Sequence, residues 1–319
     1  MMRVLGYILI LCGMAALSGC RQKEIVCPGN DPHRVDVMFM WDNAPGAEVD
    51  GMAVYFYPLD NGGRMWRFNI AGRDGGAVEL PLGRYRMLAV NNDLPGITFS
   101  DQTSFDGFIA SARRVGPAGA DGVVGSTGML YGGCVKDIDV TICGVTYTMN
   151  DGAVKECPFG LIRCYPDSLA TVYNVTLGDV IGMERVRSAS ATLCGVASTL
   201  SVATGASGET ACSIGLGLSA DEERTSLSGC TMGLGTPRGV PSFELIVTVT
   251  CTDGHVVQKS FDVTGQILAS RTPHNVFIRI DGLEIPEVDP DTPPGDDDVG
   301  MIVGVDGWQV IEIDYSTGV

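Results

Sequence analysis

A chain of 319 residues that is 45% apolar can build the cores of two ordinary domains, which argues against wholesale disorder. Its 21 basic and 38 acidic residues leave −17 at neutral pH with no cluster of Lys and Arg as an exception, which argues against nucleic acid as a partner. Glycine at 43 residues and only 18% charge suit a turn-rich β protein better than a helical one.

The amino terminus reads as an export signal. Arg3 precedes an apolar run from Val4 to Leu17, long enough for a signal core but short of the ~20 residues that span a bilayer. The run ends Leu17-Ser18-Gly19-Cys20, which resembles a bacterial lipobox. That resemblance implies cleavage before Cys20, a diacylglyceryl group on its thiol and acylation of the new amine. One acyl chain holds a protein only marginally, whereas two or three make attachment effectively permanent. The implied location is the outer membrane, with the periplasmic or surface face left open.

Residues 21–33 are polar and contain Pro28, Gly29 and Pro32, as a tether does. Period-two patterning then begins, with Val35, Val37, Phe39 and Trp41 on one strand face and Met52, Val54 and Phe56 on the next. Turns at Asp60-Asn61-Gly62-Gly63 and Arg73-Asp74-Gly75-Gly76 flank a run holding Trp66, Phe68 and Ile70. Leu80-Pro81-Leu82-Gly83-Arg84-Tyr85 reads as strand, corner, strand. The stretch 95–130 is less regular, with room for a short helix between Ser104 and Val115, and Val135 to Met149 returns to strand. A second block carries Leu169, Thr171, Tyr173, Val175 and Leu177 in alternation. Phe243 to Cys251 and His255 to Val263 form a hairpin. A three-residue loop with Gly254 left-handed sets Val249 opposite Val257 and Leu245 opposite Phe261, leaving only Lys259 to spoil the apolar face. An acidic, proline-rich linker follows, and beyond it Trp308, Val310, Ile311 and Ile313 mark one detached strand.

The fold class is therefore all-β: two tandem β-sandwich domains with a detached C-terminal strand. The divisions are a lipoprotein signal peptide (1–19), a tether (20–33), an N-terminal sandwich (34–150), a C-terminal sandwich (157–286) and an acidic linker with its strand (287–319).

Chemistry is sparse. Of 11 cysteines, Cys12 leaves with the signal and Cys20 takes lipid, so an odd number remains. Cys157 with Cys164, and Cys134 with Cys143, are the candidate short-loop disulfides; equally, these residues serve as small buried apolar groups. No Cys-x-x-Cys, serine elbow or dinucleotide loop occurs, and His33, His255 and His274 fall in tether, turn and strand entrance. No metal, cofactor or catalytic residue is implied. The acidic run Asp289 to Asp298 lacks calcium-loop spacing and reads as solvated linker. Asp167-Ser168-Leu169 resembles the short acceptor for O-glycosylation at Ser168 in Bacteroidota. Tyr55, Tyr57 and Trp66 suit either a sugar platform or cross-strand packing.

The lipobox, the opening strand Val35 to Asp42, Val54-Tyr55-Phe56-Tyr57-Pro58, the Leu80 to Tyr85 corner with Asn91-Asn92-Asp93, and the ending Val305-Asp306-Gly307-Trp308 together resemble fimbrillin-like lipoproteins of the Bacteroidales. The resemblance implies tandem sandwiches of Greek-key or transthyretin-like layout and a part in building, anchoring or tipping surface fibres. Polymerising members are processed at a basic site after the first strand; Arg73 and Arg113-Arg114 make poor matches, which favours an anchor or accessory subunit. The expected partners are a membrane through the lipid and fimbrial subunits through strand addition by the C-terminal segment. The alternative is an adhesin binding surface glycans.

Overall fold

The computed structural model of the chain describes residues 32–60, 63–91, 93–115, 123–149, 151–239, 241–271 and 274–287, with the backbone of two further strands at 303–305 and 308–311. The signal, Cys20, the tether up to Asp31, the acidic linker beyond Glu287 and Ile313 lie outside these residues, and His33, placed in the tether from sequence, is the first residue of a strand. Regular structure among the described residues is strand, apart from a 3-10 turn at Met183–Arg185 and one helical turn, α1 (Thr264–Leu268).

The first block holds β1 (His33–Phe39), β2 (Gly51–Pro58), β3 (Trp66–Ala71), β4 (Gly75–Leu80), β5 (Gly83–Asn91), β6 (Ile97–Ser100), β7 (Ile109–Ala112), β8 (Val123–Val124), β9 (Tyr131–Thr141), β10 (Gly144–Thr148), β11 (Val154–Cys157), β12 (Leu161–Cys164) and β13 (Asp167–Ser168). A three-stranded sheet, β12-β1-β4, faces a larger one ordered β11-β10-β9-β5-β2-β3. Between them lie Val35, Val37 and Phe39 of β1, Met52, Val54 and Phe56 of β2, and Met87, Val135 and Ile138. The alternation on β1 and β2 thus marks the inward face, as period two requires.

The second block holds β14 (Thr171–Gly178), β15 (Val186–Ala197), β16 (Thr199–Ser201), β17 (Ala211–Ala220), β18 (Leu227–Gly233), β19 (Glu244–Cys251), β20 (Val256–Asp262) and β21 (Asn275–Asp281), with β22 (Val303–Val305) and β23 (Trp308–Ile311) behind them. One sheet runs β21-β14-β18-β17-β15-β19-β20-β23-β22. It curls over itself, because β17 pairs along β15 and then, at Ser219 and Ala220, passes to β18. Tyr173, Val175 and Leu177 on one half meet Leu193, Ile214, Leu245 and Val247 on the other in a single core. The β19–β20 hairpin takes the register expected from its apolar face, with Leu245 opposite Phe261, Val247 opposite Lys259 and Val249 opposite Val257. Gly254 supplies the left-handed turn at φ 97°.

A third core joins the two blocks. Ala53, Tyr55, Tyr57, Leu88 and Val90, on the outer face of the large first sheet, pack with Phe105, Phe108, Leu200, Val202 and Leu234. β2 is accordingly buried on both faces. The irregular stretch supplies this layer as strand rather than helix: β6 pairs with β7, β7 with β16, and β8 with β17, all antiparallel except the last. Residues from Cys157 to Ser168, assigned to the second block from sequence, pair instead in the first. β12 lies parallel to β1, where its Ile162 and Cys164 complete the first core, and β13 pairs with β9.

Candidate functional site

Two short-range devices fix the first sandwich. Tyr85 folds its hydroxyl back onto the Pro81 carbonyl at 2.9 Å, holding the Leu80–Gly83 corner. Asn91, only 2% exposed, accepts from the Tyr131 N–H at 2.7 Å and donates to the Met129 carbonyl at 3.0 Å and the Asp93 carboxylate at 3.2 Å. The Asn91 and Asp93 of the sequence pattern therefore act as a bracket between β5 and the start of β9.

Among the described residues no three His, Cys, Asp or Glu side chains are placed to hold a metal ion. His33 opens β1, His255 follows the hairpin turn against Asp253 at 3.2 Å, and the His274 carbonyl accepts from Val172 at 3.0 Å. The candidate cysteine pairs are not brought together. Cys134 and Cys143 are separated by most of β9, about 20 Å of extended chain, where a disulfide needs Cα atoms within about 7 Å. Cys157 ends β11 opposite Val145, whereas Cys164 ends β12 at its far end, opposite Phe39 and fully buried. Burial pushes the thiols of Cys134 and Cys164 above their usual range, and that of Cys212 up to about 11. Ser168 lies half-buried, its hydroxyl donating to the Ala170 carbonyl at 3.0 Å.

The aromatic platform is not built from both tyrosines. Tyr55 and Tyr57 are 1% and 5% exposed, and their hydroxyls bond Gln102 at 2.9 and 2.8 Å. Trp66 alone of the three reaches solvent, at 41%. A shallow groove of about 530 Å³ opens beside the β15–β17 bulge, lined by Glu209, Arg238, Glu244, Asp262 and Thr264.

The surfaces best suited to a partner are the edges of the long sheet, since an edge strand presents unpaired backbone groups. At β21 the edge is capped at one residue by a side chain: the Gln266 amide oxygen accepts from Arg279 N–H at 2.8 Å and its nitrogen donates to the Arg279 carbonyl at 3.0 Å. Sequence pattern gives no sign of this clamp, because it depends on α1 folding alongside β21. At β20 the edge is closed by the C-terminal strand of the same chain, with Val256 opposite Ile311, Val257 opposite Val310 and Lys259 opposite Trp308. β23 in turn pairs with β22.

Two sandwich cores joined by a third define an all-β sandwich protein. The chain belongs to the DUF5119 family, a domain of unknown function whose model matches residues 19–217. It is 26% identical over 129 residues to a protein of Bacteroides ovatus named as a fimbrium anchoring subunit, Fim4B; the match takes in 40% of this chain and 38% of that protein's length. In fold it is similar to a Bacteroides ovatus protein described as an adhesin, at a TM-score of 0.63 and 18% identity over 85% of this chain and 98% of the other. It is also similar to a Bacteroides thetaiotaomicron protein described as polysaccharide-binding, at a TM-score of 0.52 and 12% identity over 78% and 91%.

Proposed function

We propose that the protein is an outer-membrane lipoprotein, held by acyl chains on Cys20, that serves as an anchor, assembly or accessory subunit of a fimbria. The observation that carries the reading is the asymmetry of the long sheet. The β21 edge is capped at Arg279 by Gln266, while the β20 edge is filled by a strand at the chain's C-terminal end, behind an acidic linker. A strand paired along a sheet edge can be exchanged for a neighbour's, with backbone bonds supplying affinity and alternate side chains specificity. Donation in trans requires β23 to leave β20 first. The likeness to the fimbrium anchoring subunit of Bacteroides ovatus and the lipobox support the same role. No catalytic part is assigned.

In cells making the Cys20→Ala protein, fibres are expected in the medium rather than on the cell. Fibres retained as in the parent would overturn the anchoring role. Deleting residues 300–319 is expected to abolish incorporation into fibres, and unchanged assembly would remove strand exchange. A second reading, glycan binding, draws on the groove beside Arg238, whose mixed guanidinium and carboxylate lining suits hydroxyl groups. A glycan array probed with residues 21–319 tests it, and a blank array counts against it.

A further inference from the structure

One end of the first sandwich exposes large apolar side chains in its turns, beside the charged Asp60, Arg64 and Arg84. β1 begins there, and so do β3, β5, β10 and β12, while β2, β4, β9 and β11 finish there. The register places them together: His33 is opposite Leu80, Gly83 opposite Val140, Gly144 opposite Thr141, and Cys157 opposite Val145. The turns at this end carry Phe159, 90% exposed, and Ile142, 73% exposed, the two most exposed large apolar side chains among the described residues. Leu59 and Trp66 add 37% and 41% at the same end.

Phe159 and Ile142 occupy adjacent turns. Gly144 lies so close to the Cys157 carbonyl and Pro158 that an added Cβ would fall 2.5 and 2.7 Å from them. Gly160 packs against the backbone of Arg34 and Val35, and its carbonyl accepts from Asp36 at 2.9 Å. The apolar pair therefore sits beside the first residues of β1. The second block is joined at the opposite end of these strands, where β12 and β13 lead into β14.

The geometry points to a membrane-contact tip: Phe159 and Ile142, with Trp66 and Leu59 at the margin, rest in the interfacial layer of the bilayer that holds the Cys20 lipid. This rests on the lipoprotein reading. The occupant follows from the length of chain between the anchor and the tip. From Cys20 to His33 the chain spans about 45 Å at full extension and about 20 Å as a flexible coil. The lipid would thus keep this end, rather than the second block, nearest the bilayer. Tethering makes tip insertion an intramolecular event, so contacts too weak to bind a membrane alone become populated. Aromatic side chains are suited to the interfacial layer.

The test uses the full lipidated protein in vesicles of phosphatidylethanolamine and phosphatidylglycerol, with Phe159→Trp as a reporter and lipids brominated high on their acyl chains as quenchers. The emission that Phe159→Trp adds to that of the parent, which holds Trp41, Trp66 and Trp308, is expected to fall by at least half, and the same difference in the Cys20→Ala background to show no quenching. Adding Ile142→Asp is expected to leave flotation with the vesicles intact and to reduce the quenching at least twofold. Flotation with no quenching of the introduced indole overturns the tip and leaves the anchor standing; a protein partner covering Phe159 in cells would belong to that outcome. Failure to float overturns the anchor and the tip with it. Because Phe159 is exposed, the substitution spares the core.

Discussion

Gln266 does with one side chain what a neighbouring strand would do with its backbone. Replacing it with Ala leaves the Arg279 N–H and carbonyl to water at an exposed edge, so Gln266→Ala is expected to cost only about 1 kcal/mol. The informative readout is association: sedimentation should show concentration-dependent self-association of Gln266→Ala that the parent lacks, and identical profiles would deny the amide its edge-closing role. Asn91 is a costlier residue to lose. Asn91→Leu strands the buried Tyr131 N–H and Met129 carbonyl, and urea unfolding should register a loss of about 2–4 kcal/mol. Asp221 reports on pH. Hydrogen bonds from the side chain and backbone of Thr225 and Ser226 hold its carboxyl down to about 2 from the ordinary 3.8. A depressed folded value means that its stabilisation is present above pH ~4 and is lost as pH falls through about 2. A carbon-13 titration of the Asp221 carboxyl should show that midpoint, and a midpoint near 4 would contradict the turn as described.

At the scale of elements, what could be read in advance depended on whether partners are near in sequence. The β19–β20 hairpin was legible to the residue because its two strands adjoin and a one-residue slip would drive Gln258, Ser260 and Asp262 against an apolar row. β6, β7 and β8 were not, since β7 and β8 meet β16 and β17 far along the chain and are too short to show alternation. β2 was half legible: Met52, Val54 and Phe56 announced one buried face, but the burial of Ala53, Tyr55 and Tyr57 depends on a layer contributed by distant segments. The cysteine spacings misled because extended strand separates residues that look close when counted. The C-terminal strand offers a direct check. Deleting residues 300–319 should raise hydrogen exchange at Val256–Lys259 by at least tenfold while leaving β19 protected on its β15 side. Unchanged exchange in β20 would mean that the edge was never covered.

The whole molecule is held as one unit by its middle layer. Phe108 is fully buried there, edge-on to Tyr55 at 4.9 Å and to Phe99 at 5.4 Å. Phe108→Ala is expected to cost about 3–5 kcal/mol, and calorimetry should then show two transitions where the parent shows one. A single sharpened transition in the variant would deny that this layer couples the blocks. The outer thiols of Cys143 and Cys230 should alkylate in the native protein within minutes, and those of Cys164, Cys212 and Cys251 only on unfolding, as intact mass would show.

β1 is the central strand of its sheet, bonded to β4 on one side and to β12 on the other. A pull on the chain ahead of His33 acts along the strand axis, at right angles to the antiparallel bonds with β4 and obliquely to the parallel bonds with β12. Those bonds are then loaded in shear, all together, instead of being opened one after another like a zipper. If the chain is the lipid-held fimbrial subunit proposed above, drag on a fibre would meet its resistance at this first strand of the sandwich.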